Sequence, residues 1–270
     1  MLKNPFRYPI KIWEPKDKPF VVPSLNTAKE DWKNNKIIPK HLEDIIYKAL
    51  GYYPELKDSY IIVVETKFYG IQHSLRSYPP LLSLLNKHNS RVYPIVINTN
   101  KNIPNSFYKL TPEEQQGVLS HEFAHTIDYT NRTSVQIVSY AIYWLSKKFV
   151  KKVEHATDKT AISRGCGDNL LCYREKLLEL VSPRLENYLE QTYLKPEEII
   201  KEEAKDKLPK GKIDPLWIEY ENKKFIKPDP KVIGGVFYGI VTTLSFIPAI
   251  SQMMYLIWIR KMHKKPNWYK

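Results

Sequence analysis

An α+β fold with a helical C-terminal half is predicted by three features of the 270-residue chain. Two β-branched runs, "SYIIVVET" (59–66) and "RVYPIVINTN" (91–100), read as strands. A capped helix follows and carries the pentad "HEFAH" at residues 121–125. Helical segments then continue to about residue 205. The expected core is a small sheet packed against the pentad helix.

Taken in order, residues 1–23 contain five prolines and several charges, and read as an extended arm with no export signal. "HLEDIIYKALG" from His41 spaces Leu42, Ile45, Ile46, Ala49 and Leu50 as a helix face and stops at Gly51. The run at 59–66 suits a buried strand. Pro94 cannot donate to a ladder, so the strand from Arg91 is expected at a sheet edge. Thr111 and Glu114 form a capping box with Pro112 at the first helical position, which starts the pentad helix and carries it to about Tyr129. Residues 133–146 hold no charge but are too few to cross a bilayer, so a buried or surface-embedded helix is expected. We expect it to rest in a membrane interface. "KKVEHATDKTAISRG" predicts a helix closed by Gly165, and "YREKLLELV" and "KPEEIIKEEAK" predict two more helical segments.

Residues 1–205 are therefore one expected domain. Residues 206–231, rich in Lys and Pro, read as a linker. Residues 232–259 form a 28-residue run without charge, long enough for a transmembrane helix, and 260–270 form a basic tail. The competing reading of that run is a helical hairpin split at Pro248. With no export signal, the large domain is expected on the cytoplasmic side of a single-pass anchor, with Cys166 and Cys172 reduced. The net charge of +13 raises nucleic acid as a partner, but the lysines are scattered and no nucleic-acid motif interrupts them. No nucleic-acid binding is expected.

The chemistry centres on the pentad. His121 and His125, four apart on a helix, project from one face and can bind the same Zn2+ ion. Glu122 points about 100° away around the helix, beside the metal, where it can act as a general base. A catalytic zinc site needs a third protein ligand and an open position. Asp128 and Asn131 stand where the HExxHxxGxxH pattern needs Gly and His, which excludes that pattern. Glu154 and Asp158 in "EHATD" fit a glutamate ligand with an aspartate one turn on, and Asp158 would fix a histidine tautomer. His155 is the competing third ligand, and Asp128 a competing histidine partner.

On "LTPEEQQGVLSHEFAHT" and "EHATDKTAISRG" the chain resembles the gluzincin metallopeptidases, nearest the membrane-associated branch of heat-shock and CAAX-processing endopeptidases. The resemblance implies a zincin-like domain, His121, His125 and Glu154 as Zn2+ ligands, catalytic Glu122, and Asp158 behind a ligand. It implies hydrolysis of protein or peptide substrates, with an extended substrate pairing along an edge strand. Thr157 departs from the family pattern, which has alanine before the aspartate. Tyr129, His155 and Arg174 are the expected choices for an oxyanion donor. The alternative is an inactive, zinc-bearing protein that tethers partners at the membrane.

Overall fold

The structure, a computed structural model, describes residues 22–67, 74–80, 91–143, 146–180 and 183–205. The N-terminal arm, the linker, the apolar run 232–259 and the basic tail lie outside these residues. Among the described residues no helix is long and apolar enough to cross a membrane.

The fold is α+β, with a small mixed sheet and mostly helical content. Helix α1 (Leu25–Trp32) precedes the two-residue strand β1 (Lys36–Ile37), and α2 (Glu43–Leu50) leads to β2 (Tyr60–Thr66). Strands β3 (Leu75–Ser77) and β4 (Val92–Asn98) complete the sheet in the order β1-β2-β4-β3. The pairs β1/β2 and β2/β4 are parallel, whereas β3 runs antiparallel to β4. The remaining elements are helices: α3 (Pro112–Thr130), α4 (Ser134–Tyr143), α5 (Lys147–Ala161), α6 (Gly167–Leu180), α7 (Pro183–Thr192) and α8 (Pro196–Lys205).

The strand from Arg91 is not the sheet edge. β4 lies between β2 and β3, and all seven of its residues are buried. Pro94 is tolerated there for a local reason. Asn98 N donates to Ser74 O at 2.8 Å and Tyr78 N to Pro94 O at 3.0 Å, so the even-numbered residues of β4 turn their backbone groups toward β3. The missing N–H of Pro94 thus faces the point where β3 ends at Ser77, and costs one bond at the end of a ladder. Among the described residues β3, absent from the sequence reading, is the edge on that side of the sheet, and β1 is the other edge.

The odd-numbered residues Ile61, Val63, Tyr93, Ile95 and Ile97 form one core with Ile46 and Leu50 of α2 and with Leu119, Phe123 and Ile127 of α3. Burying each such side chain contributes roughly 1.5–3 kcal/mol. At the start of β1 the buried Lys36 donates to Asn35 Oδ1, Lys57 O and Ser59 O, each at 2.8 Å. All three ammonium protons are satisfied, which ties the loop before β2 to the sheet. Burial pushes this lysine well below its ordinary pKa, opposed by the charge of Asp58.

The helix ends follow local chemistry. Thr111 and Glu114 form the expected reciprocal cap of α3, at 2.8 and 3.3 Å. Ser146 does not close the preceding apolar helix but caps α5, accepting from Phe149 N at 3.4 Å. α4 is not buried all round: Ile137 and Tyr140 pack inward while Val135 and Val138 are exposed. Gly165, at φ 81°, is the left-handed turn between α5 and α6, where it ends the helix as expected. Gly51 keeps right-handed angles, with φ −54°.

Gly117 sets the distance between α3 and α6. A Cβ there would stand 2.1 Å from Asn169 O, a backbone atom of α6. Alanine gains up to about 1 kcal/mol in helix propensity, but forcing the helices apart costs about 1–3 kcal/mol or more. We therefore expect Gly117→Ala to lower stability by about 1–2 kcal/mol in urea unfolding. An unchanged or raised midpoint would show that α6 yields without cost.

Candidate metal centre

The pentad lies mid-way along α3, and the segment "EHATD" lies on α5. The two helices pack so that His121 Nε2 and His125 Nε2 are 3.2 Å apart. Glu154 Oε2 stands 3.1 Å from the first and 3.2 Å from the second. All three side chains are buried. Among the described residues they form the one group of three such donors able to hold a metal ion.

The hydrogen bonds behind the rings define the donors. His121 Nδ1 is 2.7 Å from Asp158 Oδ1, and a carboxylate there can only accept, so Nδ1 carries the proton. His125 Nδ1 is 3.2 Å from Thr157 Oγ1, whose own hydrogen goes to Val153 O at 3.0 Å. Both Nε2 lone pairs then converge with a carboxylate oxygen. Three lone pairs at such distances repel unless a cation lies among them. A tetrahedral ion with bonds of about 2.0–2.1 Å holds its ligands roughly 3.3 Å apart, close to the spacing seen. The residues fit a metal ion.

Electrostatics agree with the geometry. Burial disfavours a charge on His121, but the hydrogen bonds and charges of Asp158 and Glu154 outweigh it and push its pKa up to about 10 in the metal-free chain. Burial opposes ionisation of Glu154 too, and the nearby His125 and His121 hold it well below the carboxylate range. A proton shared among these groups does in the metal-free chain what a cation would do for all three donors.

Glu122 stays off the cluster, as its position on the helix requires. Its Oε2 accepts from Ser77 N, on the edge strand, at 2.5 Å. Ser77 Oγ is 2.9 Å from Thr126 Oγ1, which itself donates to Glu122 O at 3.1 Å. Burial raises the Glu122 carboxyl above its ordinary pKa, while His125, His121 and the Ser77 N–H pull the other way.

Asp158 is completely buried and accepts four hydrogen-bond contacts from three donors. Besides His121, Arg174 Nη2 reaches Oδ1 and Oδ2 at 3.2 and 3.1 Å, and Leu194 N reaches Oδ2 at 3.0 Å. Burial opposes its charge, yet Arg174 and His121 keep its pKa below the usual value. Arg174 is thereby committed to Asp158 and to the Tyr193 ring, 4.4 Å away, so it is not a free oxyanion donor. Tyr129 is buried and its ring stacks on His125 at 6.2 Å. His155 is not part of the metal-capable group, and its buried Nε2 makes no hydrogen bond. Asp128 is held by Arg132 at 2.6 and 2.8 Å, closing the α3–α4 turn, and buttresses no histidine.

Three contributors escaped the sequence reading. Ser77 acts through a backbone N–H, which leaves no trace in a sequence. Tyr193 stands with its ring 5.7 Å from that of His121, in a short segment without periodic signal. Thr157 was legible only as a departure, although its spacing from Glu154 places both on one face of α5. Cys166 is buried and Cys172 exposed, and neither is bridged.

Set against protein-family descriptions, curated proteins and solved structures, the chain matches none.

Removing the charge of Asp158 leaves Arg174 buried without its partner, a change that costs about 3–5 kcal/mol. We expect Asp158→Asn to lose stability of that order in the chelator-treated chain. The folded pKa of Asp158 lies below the unfolded one, so its contribution is complete above about pH 4 and is lost as pH falls further. Denaturant unfolding should therefore show a wild-type acid loss below about pH 4 that is weaker in the variant. Parallel profiles would contradict this.

Proposed function

We propose that this chain is a zinc-dependent endopeptidase of the gluzincin type, anchored to a membrane through residues 232–259. The observation that carries the reading is the convergence of two histidine lone pairs and a carboxylate, with a second carboxylate, Glu122, one residue along the same helix. A structural metal site has no use for that second carboxylate. The donor set of two imidazoles and a carboxylate favours zinc among the common divalent ions.

When bound, zinc supplies Lewis acidity, lowering the pKa of water toward about 7 and polarising a carbonyl. The chain supplies the remainder. Glu122 accepts the proton of the attacking water and passes it to the leaving amine. Ser77 N–H holds the carboxylate of Glu122 to the edge strand, so the base sits where an extended peptide would lie. β3 rather than β4 is the strand along which such a peptide would pair, since the backbone groups of Leu75 and the carbonyl of Ser77 turn away from β4, while Ser77 N–H is held by Glu122. Tyr193 is the donor best suited to the oxyanion, beside His121, with burial and then the charge of Glu154 keeping its phenol protonated.

Glu122→Gln is expected to retain metal by elemental mass spectrometry and to lose cleavage of an unfolded protein substrate. Turnover at the wild-type rate would refute the base assignment. Tyr193→Phe is expected to lower kcat by about 10²-fold with metal content intact. Metal bound by a wild-type chain that cleaves no substrate would favour the tethering protein instead.

A further inference from the structure

We propose that Thr157 is the positioning residue that fixes the tautomer of His125 and aims its Nε2 at the cluster. The inference deepens the metalloenzyme reading and rests on it for its consequence, but its geometry stands apart from any metal.

The two histidines of the pentad need the same preparation and receive it from different chemistry. Each must carry its proton on Nδ1 so that Nε2 presents a lone pair. His121 meets this demand through Asp158, a group that cannot donate once charged. His125 faces a hydroxyl, which in general can donate or accept. A hydroxyl that donated to Nδ1 would force the proton onto Nε2 and turn the ring into a donor pointing at His121 and Glu154. The neutral site would then be useless as a ligand.

The helix removes that ambiguity. Thr157 is four residues after Val153 in α5, and its Oγ1 donates to Val153 O at 3.0 Å, the back-bond that threonine makes to a carbonyl one turn earlier. A carbonyl only accepts, so the single hydroxyl hydrogen is committed there. What remains toward His125 Nδ1, at 3.2 Å, is an oxygen lone pair. Thr157 is buried, so water does not compete for either contact. The ring of Tyr129 lies nearly parallel to that of His125, tilted by 14° with the centroids 6.2 Å apart.

One turn of α5 thus does three tasks. Glu154 adds its carboxylate to the cluster, Thr157 orients His125 and Asp158 orients His121. An alanine at this position, as in the resemblance described above, would leave His125 Nδ1 without this partner. A valine would fill the same space and supply no lone pair. A serine would keep the oxygen and the back-bond.

The test uses the full-length chain and its Thr157→Val and Thr157→Ser variants. In chelator-treated protein, imidazole 15N–1H correlation spectra should show the His125 proton on Nδ1 in wild type and Thr157→Ser. Proton density at Nε2 should appear in Thr157→Val. Affinity for Zn2+, read by competition with a chromophoric chelator, should fall about 10-fold or more in Thr157→Val and stay within about threefold in Thr157→Ser. A wild-type His125 protonated at Nε2 in place of Nδ1 overturns the proposal, and so does equal loss of affinity in both variants or wild-type affinity in Thr157→Val. A wild-type chain with the Nδ1 proton in place and no Zn2+ affinity upholds the role of Thr157 and overturns the metalloenzyme reading alone.

Discussion

The candidate site hangs on one buried negative charge. Asp158 has no solvent contact and lies where α3, α5, α6 and the turn before α8 meet. A carboxylate in that position would cost several kcal/mol were it unpaired. It is paired on every side: His121 from α3, Arg174 from α6 and Leu194 N from the turn. Each partner also depends on it. His121 gains its tautomer, Arg174 its counter-charge and the turn an acceptor for a buried N–H. A single group thereby couples helix packing to the aim of a ligand, so the ligand cluster and the helical half are expected to form or fail together.

The sheet contributes precision more than chemistry. Its edge strand is three residues long, yet it places Ser77 N–H against the Glu122 carboxylate and Ser77 Oγ against Thr126. The pentad helix is fixed from the other side by α6, which Gly117 admits to backbone contact. Glu122 is therefore held between a strand and a helix, and the two imidazoles between two helices. None of these groups relies on a loop for its position, which suits chemistry that tolerates little displacement.

Legibility in the sequence divided along a physical line. Features encoded by helical periodicity were readable: the cap at Thr111, the common face of His121 and His125, the i, i+4 relation of Glu154 and Asp158, and the stop at Gly165. The packing of α3 on α5, which selects Glu154 over His155, follows from the same faces. What failed depended on tertiary neighbours. Pro94 argued for an edge because sequence shows the missing N–H but not which side it faces. Arg174 was read as a possible oxyanion donor because its partner lies 16 residues away on another helix. Asp128 was weighed against a histidine and found its arginine one turn later. The short helices α1 and α7 and the strands β1 and β3 carried too little periodic signal to be separated from loops. The apolar run at 232–259 is read from the sequence and lies outside the described residues.

The most direct test of the account is the metal content of the purified full-length chain by elemental mass spectrometry, with Glu154→Ala measured beside it. The account predicts near-stoichiometric zinc in the wild type and a clear loss in the variant, with both chains folded by circular dichroism. A folded wild-type chain that holds no metal after exposure to Zn2+ would contradict it, since the converging lone pairs would then be neutralised by a proton alone.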